Sequence, residues 1–110
     1  MWSDAMLDSE AIEIVTFRLV RGVSFADFVE ANRDVDAWLK LQPGFRSRRI
    51  AEERDARIVD VLLWDSGAAA RSAMHKLMSE LAGSPVHALI DHATVTWTVA
   101  EIRHKHAIDH

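Results

Sequence analysis

The sequence predicts an α+β domain in which a four-stranded antiparallel sheet carries two helices on one face. Three observations predict it. Four segments are rich in β-branched and aromatic residues: 12–20 "IEIVTFRLV", 45–53 "FRSRRIAEE", 58–64 "IVDVLLW" and 93–102 "ATVTWTVAEI". Two intervening segments have helical periodicity, and each is opened by a serine and closed by proline and glycine. The resulting order is β-α-β-β-α-β.

Strand 1 ends at Arg21-Gly22, a turn pair. Ser24 caps the first helix, and Asp27 at its third position complements the exposed amides of the first turn. This helix is expected to run to about Gln42, where Pro43-Gly44 stops it. The short turn 54–57 "RDAR" joins strands 2 and 3 into a hairpin. Ser66 caps the second helix, expected to end near Ala82 before Gly83-Ser84-Pro85, and "PVHALI" adds a further helical turn. Strand 4 follows. Residues 1–11 and 103–110 read as polar tails around a domain of 12–102. This order is the ferredoxin-like split βαβ arrangement, and right-handed crossovers give the spatial strand order 4-1-3-2.

With 110 residues, 49% of them apolar, the chain is long enough for one domain with a real core. No apolar run reaches the length of a membrane span, and no signal peptide is visible at the start. The absence of cysteine excludes disulfides, thiolate catalysis and zinc-thiolate sites, and points to the cytoplasm. A net charge of −4 argues against nucleic acid. Arg46, Arg48 and Arg49, followed by Glu52 and Glu53, read as a solvated strand edge.

Alternation assigns the sheet faces. Val15, Phe17 and Leu19, then Val59, Val61 and Leu63, then Ala93, Val95, Trp97 and Val99 are expected to face the helices. The other face then carries Ile14, Thr16, Arg18 and Val20 with Ile58, Asp60, Leu62 and Trp64. It is too apolar to be simply solvated and is expected to be a homodimer interface in which two sheets pack face to face. Arg18 and Asp60 would form a half-buried ion pair there, and Trp64 would anchor interface or core.

On a helical wheel, Ala70, Ala73, Met74, Leu77 and Leu81 form the apolar stripe of the second helix and leave His75 on the flank. Trp64 and His75 are therefore not expected to converge. The first helix has its stripe at Phe25, Phe28, Val29, Val35 and Leu39, and Asn32 falls inside it. A buried amide must find partners. Two readings of Asn32 stand: a satisfied structural amide, or a pocket amide that orients a substrate oxygen. Asp36 lies at the stripe edge and reads as solvated. His87 follows the Ser84-Pro85 break beside Val86, Leu89 and Ile90. It is either a hydrogen-bonded rim residue or a general base, since its charge changes near neutral pH. His104, His106 and His110 lie in the tail without the rigid surroundings of a metal site, so no metal is expected. Trp38 and Trp97 read as core or, alternatively, as aromatic residues of a site.

With "PGF" (43–45) after the first helix and "LLWDS…A" (62–69) entering the second, residues 12–102 resemble the dimeric α+β-barrel superfamily, and within it the antibiotic biosynthesis monooxygenase-like domains. The resemblance implies a dimer with one small-molecule pocket per subunit between sheet and helices. It also implies either cofactor-independent oxygenation of hydroxylated aromatics, haem degradation, or no catalysis. Haem-degrading relatives ligate iron through a histidine from the region of His87, and carry an asparagine where Phe17 stands and a tryptophan in the second helix; this chain lacks the last two, so no cofactor is expected. The pocket implied is apolar, lined by Phe17, Phe28, Met74, Met78 and Trp97, with Asn32 and His87 as polar groups. His87 would be the base, and Asn32 would hold a developing oxyanion. The alternative is a non-catalytic dimeric module that binds a small apolar or aromatic molecule, and the absence of tyrosine favours it.

Overall fold

A computed structural model describes residues 9–108, and within them each β-rich segment of the sequence forms a strand. These are β1 (Ala11–Leu19), β2 (Phe45–Glu52), β3 (Ile58–Trp64) and β4 (Ile90–Glu101). They form one antiparallel sheet in the order β2-β3-β1-β4, the order expected from right-handed crossovers. β4 begins three residues earlier than expected. The tail boundary at residue 11 also moves: Ala11 is fully buried in β1, and Ile102 N–H donates to Glu10 O (2.8 Å). Residues 1–8 of the N-terminal tail and His110 lie outside the described residues.

Between β1 and β2 the expected single helix is two: α1 (Phe25–Ala31) and α2 (Arg33–Leu39). Ser24 and Asp27 form a reciprocal capping box at the start of α1. The break falls at Asn32, whose backbone (φ −88°, ψ 4°) leaves the helical region. Asn32 N–H bonds to Val29 O (3.1 Å), three residues back. Its side-chain Nδ2 then donates to Phe28 O (2.8 Å), the carbonyl a continuous helix would have matched with the main chain. Val29 turns out of the apolar stripe and is exposed.

The second helix, α3 (Gly67–Glu80), is capped by Ser66 Oγ accepting from Ala69 N–H (3.1 Å). Pro85–Leu89 forms a short 3₁₀ turn that leads into β4. Gly44 has φ +83°, and a Cβ there would come within 2.8 Å of Ala69 Cβ. Asp65 N–H also donates to Gly44 O (2.8 Å). The two stretches that carry the family resemblance thus touch: glycine is needed at residue 44 both for the turn and for the approach of α3. Among the described residues no helix is long and apolar enough to cross a membrane.

The core lies between the sheet and the helices. It is built from Phe17, Phe28, Val35, Leu39, Ile58, Leu62, Trp64, Ala70, Ala73 and Val86. Phe17 and Phe28 meet edge to face at 5.2 Å, as do Phe45 and Trp64 at 5.5 Å.

β3 corrects the face assignment. Ile58, Asp60, Leu62 and Trp64 are buried against the helices, and Val59, Val61 and Leu63 point outward. β1 is oriented as expected, and so is β4 from Val95 onward, since Val15 pairs with both Asp60 and Trp97 across the sheet. A register shift between Thr16 and Arg18 corrects the start of β4: Ile90 pairs with the inward Leu19 and His92 lines the cavity, while Ala93, expected to face the helices, is exposed. "IVDVLLW" is apolar on both parities, so alternation carries no phase there. The structure instead buries Asp60 against Arg48. No Arg18–Asp60 pair exists: Arg18 bonds to the Asp55 carboxylate (2.8 Å) at the end of the hairpin. Trp64 is 1% exposed and belongs to the core, while His75 is exposed.

Candidate functional site

Between the sheet and the helices lies a cavity of about 430 Å³. Its walls are apolar, and all seven residues assigned to a pocket from sequence line it: Phe17, Phe28, Asn32, Met74, Met78, His87 and Trp97. Phe17 and Phe28 are buried wall residues, whereas Met78 and Trp97 are 60% and 41% exposed and stand at its mouth. Trp38 also lines the cavity, half-buried, with its Nε1 donating to Glu80 Oε1 (3.0 Å).

Four polar residues line the cavity that sequence reading did not place there: Glu13, Arg48, Asp60 and His92. Arg48 was expected on a solvated edge. It comes from β2, on the inward parity through its pairing with Leu62. Its side chain is 10% exposed, and that of Asp60 is 8% exposed. Arg48 donates to Asp60 through Nε (3.0 Å) and Nη2 (2.6 Å), a bidentate fork. Nη2 also donates to Asn32 Oδ1 (2.9 Å), and Nη1 to Asp36 (2.9 Å). Asp36 is thus half-exposed and tied to the cluster. Burial works against the Arg48 charge, but Asp60 and then Asp36 outweigh it and hold the guanidinium above its ordinary pKa.

Asn32 is satisfied at both ends, by Arg48 at its oxygen and Phe28 O at its nitrogen. This is the structural reading made from sequence, with a guanidinium as the additional partner. An amide nitrogen has two hydrogens, so one remains beyond the bond to Phe28.

Glu13 sits on β1 with the inward parity of Val15 and Phe17 and is 3% exposed. Its Oε1 accepts from Trp64 Nε1 (2.8 Å) and its Oε2 from Trp97 Nε1 (2.7 Å). Burial pushes its carboxyl above the ordinary range, and Asp60 adds to this. The two indole N–H groups and Arg48 pull the other way without cancelling it. The signal that could have found Glu13 was its parity alone: it alternates with Val15 and Phe17.

His87, in the 3₁₀ turn, has Nε2 2.8 Å from Leu81 O. A carbonyl only accepts, so Nε2 carries the hydrogen and Nδ1 is the basic nitrogen. His92 Nε2 likewise donates to His87 O (2.8 Å), and the two rings stack at 6.4 Å. The tail residues His104 and His106 are exposed and apart from the cavity.

No sequence-family profile matches the chain, and no curated protein matches it in sequence. Solved structures do match. SnoaB, a cofactor-independent oxygenase from Streptomyces nogalater, is 21% identical with a TM-score of 0.69, over 88% of this chain and 96% of that one. The monooxygenase ActVA-Orf6 of Streptomyces coelicolor, solved with nanaomycin D, is 20% identical with a TM-score of 0.64, over 93% and 95%. PA3566 from Pseudomonas aeruginosa is 14% identical with a TM-score of 0.63, over 87% and 96%. The strand order, the contact between Gly44 and Ala69, and these similarities together show that the chain has a ferredoxin-like α+β fold shared with these solved structures.

Proposed function

We propose that the protein is a cofactor-independent monooxygenase acting on a small hydroxylated aromatic held in the cavity between sheet and helices. The observation that carries this reading is the cavity itself: apolar aromatic walls around a few convergent polar groups. Its fold is also that of a cofactor-independent oxygenase and of a monooxygenase. In this reading His87 Nδ1 takes a proton from the substrate, and the free Nδ2 hydrogen of Asn32 stabilises the negative charge on its oxygen. The substrate carbanion reduces dioxygen by one electron, the radical pair combines to a peroxide anion, His87 returns its proton to give the hydroperoxide, and loss of water leaves a new carbonyl. One oxygen atom enters the product and the other leaves as water. A cytoplasmic setting is part of the same reading.

The test is oxygen uptake by the purified chain on a panel of anthrones and hydroquinones. His87→Ala and Asn32→Ala are run beside the native chain after circular dichroism has confirmed their folding. Loss of a base is worth about 10²–10⁴ in rate, and loss of an oxyanion donor about 10²–10³. Uptake unchanged in both variants refutes this site, and no uptake by the native chain refutes the oxygenase. A second reading, a non-catalytic binding module, is favoured by one observation: among the described residues every buried side-chain nitrogen and oxygen already has a partner.

We also propose a homodimer through the open sheet face. With β3 in its observed orientation this face presents Ile12, Ile14, Val59, Val61 and Leu63, all partly exposed in the single chain. It is more apolar than the face assigned from sequence, because Asp60 has left it. Light scattering is expected to report a dimer, and Val61→Glu a monomer. A native monomer at micromolar concentration sinks the proposal.

A further inference from the structure

The charges in the cavity do not balance. Arg48 is the cation on the sheet side, and it is already matched by Asp60 and Asp36. Glu13 stands outside that cluster. Among the described residues no cation bonds to it, and its two partners are uncharged indole N–H groups. They reach it from opposite sides. Trp64 on β3 pairs with Ala11 and Trp97 on β4 pairs with Val15, so the two rings lie on the diagonals of Glu13 across the sheet. Each indole takes one lone pair on one oxygen. A carboxylate has about four such sites, which leaves each oxygen able to accept once more. The carboxylate is therefore fixed in orientation, is almost wholly buried, and lines the cavity.

From this arrangement we infer that Glu13 is the recognition group for the ligand: it accepts a hydrogen bond from an O–H or N–H donor on an aromatic ring, and the cavity selects neutral or cationic aromatics against aromatic anions. The inference rests on the reading that this cavity is the ligand site. It concerns which molecules enter, not what becomes of them. A ligand carboxylate would bring another negative charge beside Glu13 and Asp60, with Arg48 already engaged, and the apolar walls would screen it little. A hydroxyl or ammonium donor meets an acceptor with open capacity, and Trp97 and Phe17 line the cavity for the aromatic ring that carries it. The raised proton affinity of Glu13 is the cost that burial without a cation imposes, and a ligand donor offsets it.

The test is calorimetric titration of the full chain with naphthol, naphthylmethylamine and naphthoate at neutral pH. Naphthol and the amine are expected to bind, with naphthoate about tenfold or more weaker. Glu13→Gln is expected to weaken naphthol and the amine by about tenfold and to narrow the gap to naphthoate. Glu13→Asp keeps the charge but withdraws the acceptor, so it weakens naphthol while naphthoate stays excluded. Should Glu13→Gln not fold, the order of the three probes on the native chain and the Asp variant decides. Naphthoate binding as tightly as naphthol overturns the inference. So does an unchanged profile in Glu13→Gln, and so does failure of all three probes to bind. Charge discrimination without oxygen uptake leaves this inference standing and removes the oxygenase; uptake without discrimination does the reverse.

Discussion

Replacing Arg48 by methionine tests whether the cavity rests on a dry ion pair. The substitution keeps most of the aliphatic stem and removes the guanidinium. Asp60, with a side chain 8% exposed, loses both of its bonds (3.0 and 2.6 Å), and Asn32 Oδ1 loses its bond (2.9 Å). Asp36 is 55% exposed and returns to water at little cost. Breaking one side of a buried pair costs about 3–5 kcal/mol, because the remaining charge is left uncompensated. Urea unfolding followed by circular dichroism reads this. With a slope of about 1–3 kcal/mol per molar urea, the midpoint should fall by roughly 2 M with the slope unchanged. The double variant Arg48→Met with Asp60→Leu removes both charges and should recover most of the loss, since apolar replacement of a whole buried pair is often neutral or better. A single variant that loses less than about 1 kcal/mol, the range of exposed pairs, would refute the claim that this pair is buried and dry. A double variant no better than the single would refute the electrostatic origin of the loss.

Other perturbations have equally definite outcomes. Gly44→Ala should destabilise more than Gly22→Ala: both residues have positive φ, but a Cβ at residue 44 meets Ala69 at 2.8 Å, whereas one at residue 22 meets open space. Left-handed strain alone costs about 1–2 kcal/mol, and comparative urea melts measure the excess. Ser24→Ala removes the reciprocal cap of α1 and should cost about 0.5–2 kcal/mol, with Ser24→Asp restoring most of it. Glu13 sets a pH dependence of known sign. Its folded carboxyl holds a proton more tightly than the unfolded one, so its contribution to stability is greatest at acid pH and is lost as pH rises from the ordinary carboxylate range through the folded pKa. The native chain should therefore lose stability relative to Glu13→Gln across that window, and a gap that widens in the other direction contradicts the raised proton affinity.

How far the sequence reaches differs from element to element. The order of strands and helices was legible because its signals are local: β-branched runs, two serine caps, Pro43-Gly44 and the short hairpin turn. The strand order followed from chirality. The apolar pocket residues were legible too, since Phe17, Phe28 and Met74 sit on clear stripes. The break at Asn32 was not, because it comes from one side-chain amide taking a main-chain place four residues back. The phase of β3 was not either. A segment apolar on both faces has no alternation to read, and the one polar residue in it, Asp60, points inward to a partner from β2.

The sequence by itself thus determined which elements form, their order along the chain and the apolar character of the space between them, because each depends on neighbours within a turn or a strand. Asn32 and His87 were legible as polar residues beside that space, but only the tertiary structure decided which charged groups enter it. Glu13 meets Trp64 and Trp97 at separations of 51 and 84 residues, and Arg48 meets Asp60 across a hairpin. Burial of a charge depends on whether a partner arrives from elsewhere in the fold, and no local pattern of hydrophobicity carries that information.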